Sequence, residues 1–154
     1  TSSEKETLDL ARRLGAILQP GDWLALLGDL GSGKTVLVKG LSEAQHCQET
    51  AHSPTFILVQ TYKPRPGAKG IVIHHVDLYR LAPKDIPSLA WEELLNSDAS
   101  ITVVEWAEKI VDIVPETAIT IWITFLDENF RRIEISAPEK RLEEISSALS
   151  KGGF

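Results

Sequence analysis

Cysteine is nearly absent from this chain: Cys47 is the only one in 154 residues. A lone thiol excludes an internal disulfide and fits a reducing, cytoplasmic setting. Long apolar runs are missing too. None approaches the roughly 20 residues of a membrane span, and no signal-peptide core follows the polar N-terminus, so no membrane association is expected. Basic side chains are the minority, 16 Lys and Arg against 22 Asp and Glu, giving a formal charge of −6. That balance argues against broad clamping of DNA or RNA, which needs basic surface. It leaves room for a local basic patch or for contact through a partner. Methionine is absent altogether, from which we expect the native start to lie a few residues before Thr1. His46, Cys47 and His52 do not match a zinc spacing. His74 and His75, adjacent on a strand, point to opposite faces and are expected to be ordinary exposed and buried histidines.

What is present is a core and one strong motif. With 43% apolar residues, the chain is expected to form one globular domain over residues 1–154. Gly28-Asp29-Leu30-Gly31-Ser32-Gly33-Lys34-Thr35 fits G-x-x-x-x-G-K-[ST], the phosphate-binding P-loop. The glycines let the backbone turn tightly and bring N–H groups close to phosphate oxygens. Lys34 supplies an ammonium for the β- and γ-phosphates, and the Thr35 hydroxyl suits Mg²⁺. A helix starting here aims its positive end at the same anion. The alternative is an ordinary glycine-rich turn. Against it, the apolar run Trp23–Leu27 precedes the loop as a buried strand would, and Leu37, Val38, Leu41 and Ala44 follow at helical spacing.

Elsewhere the pattern predicts an α/β fold whose strands alternate with helices and then cluster, giving a mixed sheet with a parallel core and an antiparallel portion. Ser3-Glu4-Lys5-Glu6 reads as a capping box for a helix with Leu10, Leu14, Ile17 and Leu18 on one face. Pro20-Gly21-Asp22 ends it. The segments 57–62 and 71–77, joined by a turn carrying Lys63, Arg65 and Lys69, read as an inserted hairpin or meander. Ser88 is a candidate cap for a short helix over 89–95. Ile101–Val104 is a compact buried strand, and 118–125 and 131–136 read as two more. Ser136-Ala137-Pro138-Glu139 reads as a second capping box, for a last helix with Leu142, Ile145 and Leu149 inward and Gly152-Gly153 beyond its end.

A P-loop protein also needs an acid at the end of a neighbouring strand, close to Mg²⁺. Glu105 and Asp77 are the candidates. The cleaner apolar strand before Glu105 favours it for the metal, together with Thr35, and leaves Asp77 nearer the γ-phosphate. Trp106 follows Glu105 and is either core or a ring beside the nucleotide, placed to stack on a base.

Four motifs in this order resemble the bacterial TsaE family: Gly28–Thr35, Ser53-Pro54-Thr55-Phe56, His75-Val76-Asp77-Leu78-Tyr79-Arg80-Leu81 and Val104-Glu105-Trp106. The resemblance implies a P-loop NTPase-like three-layer fold and a small ATPase required for threonylcarbamoyladenosine in tRNA. It implies ATP or ADP bound along Gly28, Asp29, Leu30, Gly31, Ser32, Gly33, Lys34, Thr35 and Val36, with Trp106 beside the nucleotide. It further implies Asp77 and Glu105 as the acidic pair, a switch loop at Ser53–Thr55, and TsaD and TsaB as partners through which tRNA is reached. In that family TsaD transfers the threonylcarbamoyl group, and ATP hydrolysis resets the complex. Two departures stand out. Val36 replaces the second threonine of many members, and the 85–97 segment is unlike the usual Leu-Gly-rich stretch.

No arginine finger is evident, which predicts slow hydrolysis by the isolated chain. Arg80 is the candidate cation, in cis or toward a partner, with a surface ion pair as its ordinary role. A small-molecule kinase would share the P-loop but need an arginine-bearing lid, and none is visible between Lys84 and Ser100. A GTPase would carry Asn-Lys-x-Asp, which does not occur. A nucleotide-gated binding module without required hydrolysis stays open.

Overall fold

The computed structural model describes residues 1–49, 51, 59–82 and 98–151. Helix α1 (Glu4–Ala16) leads into strand β1 (Trp23–Leu27) and helix α2 (Lys34–Ala44). Strands β2 (Val59–Tyr62), β3 (Val72–Asp77) and β4 (Ser100–Glu105) follow, then a single 3-10 turn at Ala107–Ile110. Strands β5 (Ile119–Phe125) and β6 (Arg131–Ser136) and helix α3 (Glu139–Ser150) complete the order.

These strands form one sheet in the order β2-β3-β4-β1-β5-β6. β3, β4, β1 and β5 are parallel; β2 and β6 are antiparallel edges. Alternation along the strands sorts side chains onto two faces. Leu24, Leu26, Ile73, Ile101, Val103, Ile119, Ile121 and Ile123 meet Leu14 of α1, Leu37 and Leu41 of α2 and Ile145 of α3. Trp23, Ala25, Val76 and Val104 pack on the other side against Ala107, Ile110 and Ala118. Helices, sheet and the thinner layer around the 3-10 turn make three layers, the fold class read from the sequence.

α1 and α2 touch at their backbones. A Cβ added to Gly40 would lie 2.4 Å from the Ala11 Cβ, and one on Gly15 would lie 2.7 Å from the Ala44 Cβ. Buried Gln45 ties the end of this pair to the sheet: its amide nitrogen donates to the Gly15 carbonyl at 2.6 Å, and its oxygen accepts from the Ile71 amide at 2.8 Å. The strand leading to the glycine loop therefore has a rigid helical backing.

Three expectations need correction or relocation. β2 and β3 do form an antiparallel pair, but β3 is no insertion: it runs parallel to β4 and belongs to the core. The second capping box does not form. Ser136 is the last residue of β6, and α3 starts after Pro138 with no side-chain cap. The first box forms with a shift. Ser3 Oγ accepts from the Glu6 amide at 3.1 Å, while the Glu6 carboxylate reaches back to Ser2 rather than to Ser3. The Ser53–Phe56 motif, the helix over 89–95 and Gly152-Gly153 lie outside the described residues.

Candidate functional site

β1 is central, with β4 on one side and β5 on the other, so the chain leaves it where the strand order reverses. In such sheets the crevice beyond the carboxyl ends at the reversal is where ligands bind. The glycine loop lies there. Gly28 has φ +137°, and a Cβ on it would sit 2.2 Å from the Ile123 carbonyl oxygen, so only glycine fits at the exit of β1. Gly33 caps α2 in the left-handed region at φ +112°. Leu37 donates to the Gly33 carbonyl at 3.0 Å, the first bond of the helix. The amide groups ahead of Leu37 have no acceptor within the helix and can serve an anion.

Lys34 is 4% exposed. Its ammonium donates to the carbonyls of Gly28 at 2.5 Å and Asp29 at 2.9 Å, and sits 3.9 Å from the centre of the Trp106 ring. Burial pulls its pKa below the ordinary lysine value, and the carboxylates of Glu105, Glu108, Asp77 and Asp29 push it back up. Ser32 is fully buried beside Gly28, and its hydroxyl has no hydrogen-bond partner among the described residues. A buried orphan hydroxyl within an anion-binding loop fits a ligand that supplies acceptors.

Glu105 ends β4 and is 3% exposed. Thr35 Oγ1 donates to its Oε1 at 3.1 Å and lies 3.4 Å from Oε2. Asp77 is register-paired with Glu105 across β3 and β4, and its Oδ1 accepts from the Tyr79 amide at 2.9 Å. Trp106 has a left-handed backbone, φ +63°, and its ring lies 4.9 Å from that of Tyr79. Lys109, two residues into the 3-10 turn, donates to the carbonyls of Leu78 at 2.8 Å, Tyr79 at 2.7 Å and Leu81 at 3.1 Å. Lys34, Thr35, Asp77, Tyr79, Glu105 and Trp106 line a cleft of about 260 Å³ with Leu30, Gly31, Gly33 and Val36. Hydroxyl and carboxylate oxygens are the donor set Mg²⁺ prefers. Among the described residues no three His, Cys, Asp or Glu side chains gather closely enough to hold a metal by themselves. A site this sparse suits Mg²⁺, which keeps several waters and phosphate oxygens as ligands.

The residues picked from the sequence therefore converge: Lys34, Thr35, Asp77, Glu105 and Trp106 share one cleft, while Asp29 and Leu30 sit on the exposed crest of the loop. Two groups escaped the sequence reading. One is His75, buried beside Glu105. The other is a second cleft of about 110 Å³ beside the loop, lined by Glu4, Thr7, Gly31, Gly33, Val36 and Arg131.

Residues 1–133 match the family described as threonylcarbamoyl adenosine biosynthesis protein TsaE. The chain belongs to the TsaE family. It is 38% identical over 151 residues to the tRNA threonylcarbamoyladenosine biosynthesis protein TsaE of Rickettsia conorii, covering 96% of this chain and 82% of that one. It is 31% identical over 152 residues to the Bacillus subtilis TsaE, covering 98% and 92%. A solved structure, the crystal structure of Bacillus subtilis YdiB, superposes with a TM-score of 0.79 and 28% identity over the whole of this chain and 93% of that one. TsaE membership places the chain in threonylcarbamoyladenosine biosynthesis as a P-loop ATPase-type protein, and the fold implies a bound nucleotide. No helix among the described residues is long and apolar enough to cross a membrane.

Proposed function

We propose that this TsaE protein binds ATP with Mg²⁺, hydrolyses it slowly alone, and supports tRNA modification by binding and resetting a TsaB–TsaD complex. The convergence of a buried lysine, a hydroxyl and a buried carboxylate at the end of the central strand carries the reading. Lys34 would exchange its two loop carbonyls for phosphate oxygens. Thr35 and Glu105 would hold Mg²⁺, which neutralises charge building on the transferred phosphoryl group. Asp77, on the same sheet face, is the acid nearer the terminal phosphate.

The second cleft extends this assignment. It shares Gly31, Gly33 and Val36 with the first cleft but contains neither Lys34 nor Glu105, so a nucleotide with its phosphates in the loop would run its nucleoside toward Thr7, Val36 and Arg131. Trp106 stands on the phosphate flank, under the lysine, which favours a response to phosphate over stacking on the base. Contact with tRNA is through the partner assembly; neither DNA nor a membrane is a partner in this scheme.

Reconstitution tests the proposal. Modification of tRNA by TsaB and TsaD with this chain and ATP should exceed that without either, and hydrolysis should rise when the partners are added. Full modification over repeated turnovers without this chain would overturn it. Complementation by a variant that binds ATP without cleaving it would instead favour a nucleotide-gated binding role.

A further inference from the structure

His75 is fully buried on β3, two residues before Asp77 and on the same face. Its Nε2 lies 3.0 Å from Glu105 Oε1. A carboxylate can only accept, so Nε2 carries the hydrogen and donates. On the other side of the ring, Nδ1 faces the Tyr62 hydroxyl at 3.4 Å, and that hydroxyl lies 2.9 Å from Gln60 Oε1. The Tyr62 ring stacks on the imidazole with centroids 6.0 Å apart. A chain of polar groups thus runs from the edge strand β2 through β3 to the acid on β4 and ends at Thr35 on α2.

Glu105 has two anchors here, Thr35 and His75, and both reach Oε1. They differ in permanence. A threonine hydroxyl has one hydrogen and two lone pairs, so it can offer its oxygen to a cation and still donate to the carboxylate, but the direction of that bond then moves with the cation it ligates. The imidazole has no such second task. It is held by burial and by the stacked Tyr62 ring, and its grip on Oε1 leaves Oε2 with only the longer contact to Thr35.

We propose that His75 is the positioning residue of the acidic site: it fixes the Glu105 carboxylate so that one oxygen stays turned to the metal flank of the cleft. This rests on the reading of Thr35 and Glu105 as the Mg²⁺ residues. Groups that orient a ligating carboxylate typically change metal affinity or activity by about 10–100-fold when removed. His75 lines neither cleft, and the Lys34 ammonium donates to the Gly28 and Asp29 carbonyls, so nucleotide affinity without metal should be insensitive to it.

The test compares ATP affinity in EDTA with ATP affinity across a Mg²⁺ titration, by calorimetry, for the wild type, His75→Leu and His75→Gln. The ratio of the two affinities is the readout, since general damage to the fold lowers both together. We expect His75→Leu to keep the metal-free affinity and shift the Mg²⁺ midpoint upward by about tenfold or more. His75→Gln, whose amide can donate to the same oxygen, should recover much of the shift. A Mg²⁺ midpoint unchanged in His75→Leu overturns the inference. So does a shift that His75→Gln leaves wholly unrepaired while its metal-free binding is intact. If His75→Leu fails to fold, His75→Asn decides: its amide is too short to reach Oε1 as the glutamine does, so the Mg²⁺ midpoint should rise while metal-free affinity is kept, and no rise overturns the inference. A wild type that binds no ATP, or binds it without regard to Mg²⁺, brings down the underlying reading instead.

Discussion

The ammonium of Lys34 sits 3.9 Å from the ring centre of Trp106, a residue whose own backbone is left-handed at φ +63°. A tryptophan in that region is strained, and such strain persists only where its surroundings over-determine it. Here the cation over one part of the ring and Tyr79 beside it do so. A phosphate bound at Lys34 would compete with the ring for the ammonium. Indole emission should therefore change on adding ATP, and Trp106→Phe should remove that change while calorimetry still detects binding. An undiminished signal in the variant would place the response at another tryptophan.

The lysine and the glutamate should fail differently. Lys34→Ala should lose nucleotide binding with or without metal. Glu105→Gln should still bind ATP in EDTA but lose Mg²⁺-dependent hydrolysis on the order of 10²-fold, as when other preorganised electrostatic groups are removed. Equal hydrolysis in Glu105→Gln and wild type would move the metal role elsewhere.

Gly40 offers a test of the helix pair. With Ala11 Cβ at 2.4 Å and the Leu8 carbonyl at 2.8 Å from an added Cβ, Gly40→Ala must push α1 away from α2. Overpacking of this kind costs about 1–3 kcal/mol. The melting temperature should fall by roughly 2–4 °C for each kcal/mol in a chain of this size. A rise, as expected from helix propensity alone, would contradict the close approach.

Burial pushes the Cys47 thiol from its ordinary value near 9 up to about 11. The folded protein then holds a proton that the unfolded chain has released, so stability should decline as pH rises from about 9 toward 11. Below 9 both states are protonated and the thiol contributes no slope. Urea melts at pH 8, 9.5 and 10.5 on wild type and Cys47→Ala would check this, the alanine variant showing the smaller decline. Labelling by a thiol reagent at pH 8 should also be far slower folded than in denaturant.

Much of this architecture is legible in the chain itself because its determinants are local. An apolar run, three glycines and a helical repeat specify β1, the loop and α2, and Ile101–Val104 announces β4 with Glu105 at its end. His75 shows where local pattern stops. Period-two alternation gives its face, but what that face meets depends on the parallel register of β3 with β4, in which His75 pairs with Val103 and Asp77 with Glu105. The same holds for Thr7 and Arg131, which share a cleft only because α1 and β6 both border the loop. The polar pair His74-His75 also disguised β3 as an inserted ribbon, since a core strand is expected to be apolar on both faces. One histidine is satisfied by Thr61 at 3.1 Å and the other by Glu105 at 3.0 Å, so the strand keeps its place between β2 and β4 regardless.

The three carbonyls gathered by Lys109 bear on how the two acids keep their spacing. That ammonium clamps the exit of β3 to the turn beyond β4, so the stretches carrying Asp77 and Glu105 are braced by a charge that neither acid has to supply. Ligands can come and go at the sheet edge while the distance between the acids is kept by a strut standing behind them.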